Sequence, residues 1–129
     1  MKRRAFLAAP LALAATPALA SGGGGGGSTG GYVRYPTITA TTIRSDGRRG
    51  VMTVETGVDT PDAAAKLRAE QSQPRMRAVF NILVQREANT LLPGGVPNVE
   101  RLHGQLQAAV NIIMGQRTSH LLIGTVMIV

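Results

Sequence analysis

The chain contains no cysteine and no tryptophan, and has only two phenylalanines and two tyrosines among its 129 residues. Without cysteine there is no disulfide staple, no thiolate metal site and no lipid-modified amino terminus, so a fold must be held by its core alone. With so few aromatic side chains that core is aliphatic, and the stacking platforms of a nucleic-acid binder are missing. No apolar run reaches the roughly 20 residues that a spanning helix requires. Histidine is scarce as well, and His103 and His120 form no ligand cluster with the acidic residues.

What is present begins with the first twenty residues, which read as an export signal. Lys2, Arg3 and Arg4 precede a modest apolar stretch over residues 5–19, and Ala18 and Ala20 form a small-residue processing site before Ser21. Arg3, Arg4, Phe6 and Leu7 fit the twin-arginine export motif. General export of an unfolded chain is the competing route, and an uncleaved anchor is the competing reading of the segment. Pro10 and Pro17 and the short apolar length argue against the anchor. The expected address is the periplasm, reached through the bacterial export machinery.

Residues 21–34 open on a glycine tract with Ser and Thr and are expected to be a flexible linker, because ordering glycine costs the most backbone entropy and offers no side chain to bury. A phosphate-cradling glycine loop would follow a strand and end in Lys-Ser or Lys-Thr, and this tract does neither. Fourteen basic residues against seven acidic ones give a formal charge of +7. Three of the basic residues lie in the leader, so the remainder carries eleven against seven, an excess of +4. That bias suits an inner-membrane surface or an acidic partner better than nucleic acid.

The folded part is expected over residues 35–129. Residues 35–43 are rich in β-branched side chains, and residues 51–58 alternate Met52, Val54 and Val58 with Thr53 and Glu55. Ser45, Asp46, Gly47 and Gly50 supply a turn between them, which predicts an antiparallel hairpin. Thr60, Pro61 and Asp62 read as a helix start with Thr60 as the cap. Pro74 either kinks that helix or starts another, and Met76, Val79, Phe80, Leu83, Val84 and Leu91 continue a helical stripe beyond it. Asn98 caps a further helix whose apolar face includes Leu102, Leu106, Ala109, Val110 and Ile113, and Gly115 ends it. Residues 121–129 form a nearly unbroken apolar strand, read as a central strand or as one covered by helices on one face and by a partner on the other. The resulting class is α+β: a single β-β-α-α-β domain with a mostly antiparallel three-stranded sheet and two main helices on one face.

Candidate chemistry is sparse. Ser119 and His120 are neighbours whose side chains point to opposite faces of a strand, so they do not form a nucleophile and base pair. No cofactor, metal or catalytic set is nominated, and a non-enzymatic protein is expected. Were the first helix to continue through Pro74, Arg68, Arg75 and Arg86 would share one angular band, because separations of seven and eleven residues approach whole turns. That band is a candidate docking strip for an acidic partner or anionic headgroups.

The order of elements, the Thr-rich first strand, the helix through Met76, Phe80 and Leu83, the helix opened by Asn98 and the apolar last strand together resemble the periplasmic domain of the FliL family of flagellar basal-body-associated proteins. The resemblance implies a stomatin-like domain that assembles with itself beside the flagellar stator or another envelope protein, supports motility and carries no enzymatic activity. The family's transmembrane helix is replaced here by the export-type leader. The alternative is a soluble exported binding or hydrolytic protein unrelated to flagella.

Overall fold

The computed structural model describes residues 30–129, in which four strands and three helices follow the order β1 (Gly31–Arg34), β2 (Ile38–Ile43), β3 (Arg49–Thr60), α1 (Ala63–Gln71), α2 (Gln73–Asn89), α3 (Val99–Met114) and β4 (His120–Ile128). All strand pairs are antiparallel, with β3 at the centre. The α+β class and the strands, helices, strand order follow the expectation.

β1 and β2 occupy one side of β3 end to end. Arg34 pairs with Gly57 and Ile38 with Val54, so the two segments are a single edge interrupted at Tyr35, Pro36 and Thr37. Pro36 has no amide to give to the ladder, and the Tyr35 amide keeps the gap in register by donating to the Thr56 carbonyl at 3.0 Å. The sheet is therefore three strands wide with a broken first strand. Gly31 to Arg34, expected within a linker, form strand β1. Thr60 holds that new strand: its hydroxyl donates to the Gly31 carbonyl at 2.7 Å and accepts from the Gly31 amide at 3.1 Å.

That bond moves the start of the first helix. Thr60 ends β3, and Asp62 is the N-cap of α1, its Oδ1 accepting from the Ala65 amide at 2.8 Å. Pro74 lies in the first turn of α2, where a missing amide costs nothing, and the chain breaks into two helices at Ser72. The small side chains of Ala65 and Ala69 are buried and let α1 approach the sheet. There the Tyr35 hydroxyl donates to the Ala69 carbonyl at 2.8 Å. Burial, reinforced by the Glu70 carboxylate, pushes the Tyr35 phenol up to about 12.

α2 lies over β2 and α3 over β4, both on one face of the sheet. Met76, Phe80 and Val84 from α2 and Leu102, Leu106 and Val110 from α3 are fully buried against Met52, Val54 and Val58 of β3. α3 has both expected stops: Asn98 accepts from the Arg101 amide at 2.9 Å, and Gly115 closes the helix at φ 74°.

Among the described residues β4 is an edge strand that pairs only with β3. The central-strand reading is therefore corrected, and the physical reason lies in its register. Between Val54 and Thr56 of β3 only Glu55 intervenes, whereas Gly124 and Thr125 intervene between their β4 partners, Ile123 and Val126. This bulge resets the alternation. Leu121, Ile123 and Val126 turn toward the helices while Leu122 and Met127 turn outward, so an apolar run without a period of two still serves a strand with one covered face.

Candidate functional site

The segment between α2 and α3 is shaped by a buried ion pair. The Glu87 carboxylate, at 1% side-chain exposure, accepts from Arg101 Nε at 3.1 Å, from Arg101 Nη2 at 2.9 and 3.0 Å, and from the Asn98 amide at 3.0 Å. It thereby ties the end of α2 to the start of α3. Between them, Leu92, Pro93, Gly94 and Gly95 make a tight turn closed by the Gly95 amide on the Leu92 carbonyl at 2.7 Å. Pro93 followed by Gly94 at φ 75° is the sequence of a type II turn, whose third residue needs a positive φ. The Gly94 amide then donates to the Ile43 carbonyl at 3.0 Å, fixing this loop on the β2–β3 hairpin.

A cleft of about 550 Å³ results at this end of the sheet, between the loop, the end of β2 and the end of β4. Its walls are largely aliphatic, including Ile43, Leu91, Val96, Val99, Val126 and Ile128, and Arg44 is the one charged side chain lining it among the described residues. Thr42 also lines it, and its hydroxyl is buried without a hydrogen-bond partner among the described residues. A side chain at Gly50 would meet both that hydroxyl and the Val129 carbonyl, so glycine keeps the space open. Arg44, Arg48 and Arg49 surround the hairpin turn, all exposed and outside any ion pair among the described residues. Asp46 in the same turn accepts from the Arg48 amide at 2.9 Å.

The second open feature is the outer face of the sheet. Leu122, Met127 and Val129 are 46%, 52% and 64% exposed, and Val51, which bonds to Val129 through both backbone groups, is 42% exposed. The residues that end the apolar strand thus form a stripe turned away from the helices. Next to it the exposed Arg34 and Glu55 pair, at 3.7 Å.

The nominated residues fall as follows. Arg3, Arg4, Phe6, Leu7, Ala18, Ala20 and Ser21 lie outside the described residues. Arg68 is on α1 and donates to the Met114 carbonyl at 3.2 Å, serving the carboxyl end of α3. Arg75 and Arg86 are exposed on α2, and the break at Ser72 removes the single helix that would align all three. His103 Nε2 lies 2.9 Å from the Leu121 carbonyl, whereas His120 is exposed at the start of β4. Ser119 is fully buried, so it faces away from His120. Among the described residues no three His, Cys, Asp or Glu side chains gather as metal ligands.

Sequence reasoning missed the Glu87–Arg101 pair and the cleft. The pair had a signal: Glu87 falls three residues after Val84, in phase with Met76 and Phe80, and a carboxylate in an apolar stripe needs a partner. The cleft had only the paired glycines after Pro93, which announce a turn and say nothing of what it faces. Compared with known proteins, neither a family model, nor a curated protein, nor a solved structure matches this chain.

Proposed function

We propose that the chain is an exported, non-enzymatic interaction and assembly protein of FliL-like type, acting on the periplasmic side of the inner membrane in support of the flagellar motor. Its partners are further copies of itself and the stator or another envelope protein. The observation that carries the reading is the outer face of β4, where Met127 and Val129 stand exposed beside Val51, with Leu122 exposed farther along the strand, on a sheet whose other face packs against the helices. Apolar side chains arranged together on one rigid face favour burial against another surface, at about 25 cal/mol per Å². The β-β-α-α-β order adds support at the level of fold alone, which constrains function loosely.

Two measurements test it. Sedimentation of the full chain should reveal self-association that Met127→Asp abolishes without loss of helical and strand content. Deletion of the gene should shrink the swimming halo, and a halo of wild-type size would sink the motor role. The end cleft with its unpartnered Thr42 hydroxyl favours a second reading, an exported binding protein that works as a monomer. A monomer at every concentration, in a strain that swims normally without it, selects that one.

A further inference from the structure

We propose that the loop end of the sheet docks on the surface of an anionic lipid bilayer. Val96 and Leu92 are the two most exposed large apolar side chains among the described residues, at 85% and 78%. They are not carried on a loose loop. The Leu92 to Gly95 turn is closed internally, Gly94 is bonded to Ile43, and the far end is held where the Glu87 carboxylate takes the Asn98 amide. Both side chains are thus presented outward from a segment fixed at three points.

The adjoining hairpin turn supplies the charge. Arg44, Arg48 and Arg49 stand exposed around it, and Gly94 packs against Ser45 in the same turn, which places the cations beside the apolar projections. The acidic residue of the turn, Asp46, is engaged by a backbone amide, the Glu87 carboxylate beneath the loop is buried and paired with Arg101, and Glu100 stands on the first turn of α3. Aliphatic side chains beside guanidiniums match a bilayer interface, where apolar groups enter the acyl boundary while cations meet headgroup phosphates.

Other occupants fit less well. A second copy meeting this end through a two-fold axis would set the same arginines against one another, an unfavourable like-charge contact. Nucleic acid would satisfy the arginines and leave Leu92 and Val96 in water. The inference does not rest on the assembly role proposed above, since it uses Leu92, Val96 and the hairpin arginines and not the exposed Leu122 and Met127 of the outer sheet face.

The absence of tryptophan provides a clean test in the full chain. Leu92→Trp introduces a single reporter at the tip, and Ile112→Trp places one at an exposed site on the outer side of α3 as a control. With vesicles of equimolar phosphatidylcholine and phosphatidylglycerol, L92W emission should shift to the blue and be quenched by lipids brominated on their acyl chains, while I112W stays unchanged. Because each reporter senses its own surroundings, attachment through any other segment does not imitate the result. Replacing Arg44, Arg48 and Arg49 with glutamine should weaken the L92W response about a hundredfold, from roughly fivefold per cation at an anionic surface. An unshifted L92W overturns the proposal, as does an equal response on pure phosphatidylcholine. A blue shift that grows with protein concentration without vesicles overturns it in favour of a protein contact, and one produced equally by a monomeric fatty-acid anion reassigns the cleft to a small ligand.

Discussion

Replacing Arg101 with methionine should cost more than replacing its partner Glu87 with glutamine, and the asymmetry follows from where the two charges sit. The Glu87 side chain is 1% exposed and that of Arg101 49%. Arg101→Met strands a carboxylate in the interior with the Asn98 amide as its remaining donor, and breaking a buried pair in this way costs about 3–5 kcal/mol. Glu87→Gln keeps the shape and leaves a guanidinium that already touches water, but its NH2 replaces an oxygen that only accepts, so besides charge assistance it loses the Asn98 or an Arg101 hydrogen bond, about 2 kcal/mol in all. For a domain of this size each kcal/mol moves Tm by about 4–8 °C, so Arg101→Met should lower it by about 12 °C or more. Urea unfolding followed by circular dichroism measures both variants, and Glu87→Met combined with Arg101→Met should recover much of the loss because no charge is left buried. Equal losses for the two single variants, or a loss below about 1 kcal/mol for Arg101→Met, would refute the reasoning and reduce the pair to a surface contact.

Two further outcomes follow from single hydrogen bonds. The Tyr35 phenol is pushed up to about 12 by burial and by Glu70. An acid with a raised folded pKa favours the folded state fully below its unfolded value of about 10, and that stability drains away as pH climbs from there through about 12, by up to about 3 kcal/mol. The urea midpoint should therefore fall over that window, and Tyr35→Phe should flatten the fall while losing the bond to the Ala69 carbonyl. Gln107→Ala should release the Leu121 amide, which now donates to the Gln107 side chain at 2.8 Å, at a cost of about 1–3 kcal/mol. Hydrogen exchange at Leu121 reads it directly, and unchanged protection there would count against the role assigned to Gln107.

The sequence made α3 legible at both ends because Asn98 and Gly115 have single conformational uses there, an N-cap and a left-handed stop. The hairpin was legible because β2 alternates without a break and β3 nearly does. β1 escaped notice because it follows a glycine tract and is cut from β2 by Pro36, so neither half shows enough alternation to register. Thr60 misled because two residues with good capping chemistry, Thr60 and Asp62, competed for one helix. The competition was decided by a strand not visible in the local pattern, since Gly31 takes the Thr60 hydroxyl. At the end cleft, Leu92, Val96 and the arginines are individually ordinary surface residues. The contacts of Gly94 with Ile43 and Ser45 bring them together, and contacts across about fifty residues leave no periodic trace.

The sheet edges constrain which surfaces can meet a partner. Gln85 donates to the Thr41 carbonyl at 3.2 Å and accepts from the Thr41 amide at 3.1 Å, while Gln107 donates to the Ser119 carbonyl at 2.9 Å and accepts from the Leu121 amide at 2.8 Å. A primary amide carries a donor and an acceptor side by side, so each glutamine imitates one residue of a neighbouring strand. The cap at Thr41 sits in the middle of a six-residue strand and leaves no run for an added chain. On β4 the capped stretch is the start, with His103 beside the Leu121 carbonyl, and beyond it the bulge at Gly124 and Thr125 breaks the regular spacing that strand addition requires. With Thr41 and the start of β4 capped and the rest of β4 distorted, the proposed contacts fall to the outer face of β4 and to the loop end, where binding depends on side chains. A single charge at Met127 or Leu92 should then be enough to abolish its own contact and spare the other, whereas association through backbone pairing would tolerate both.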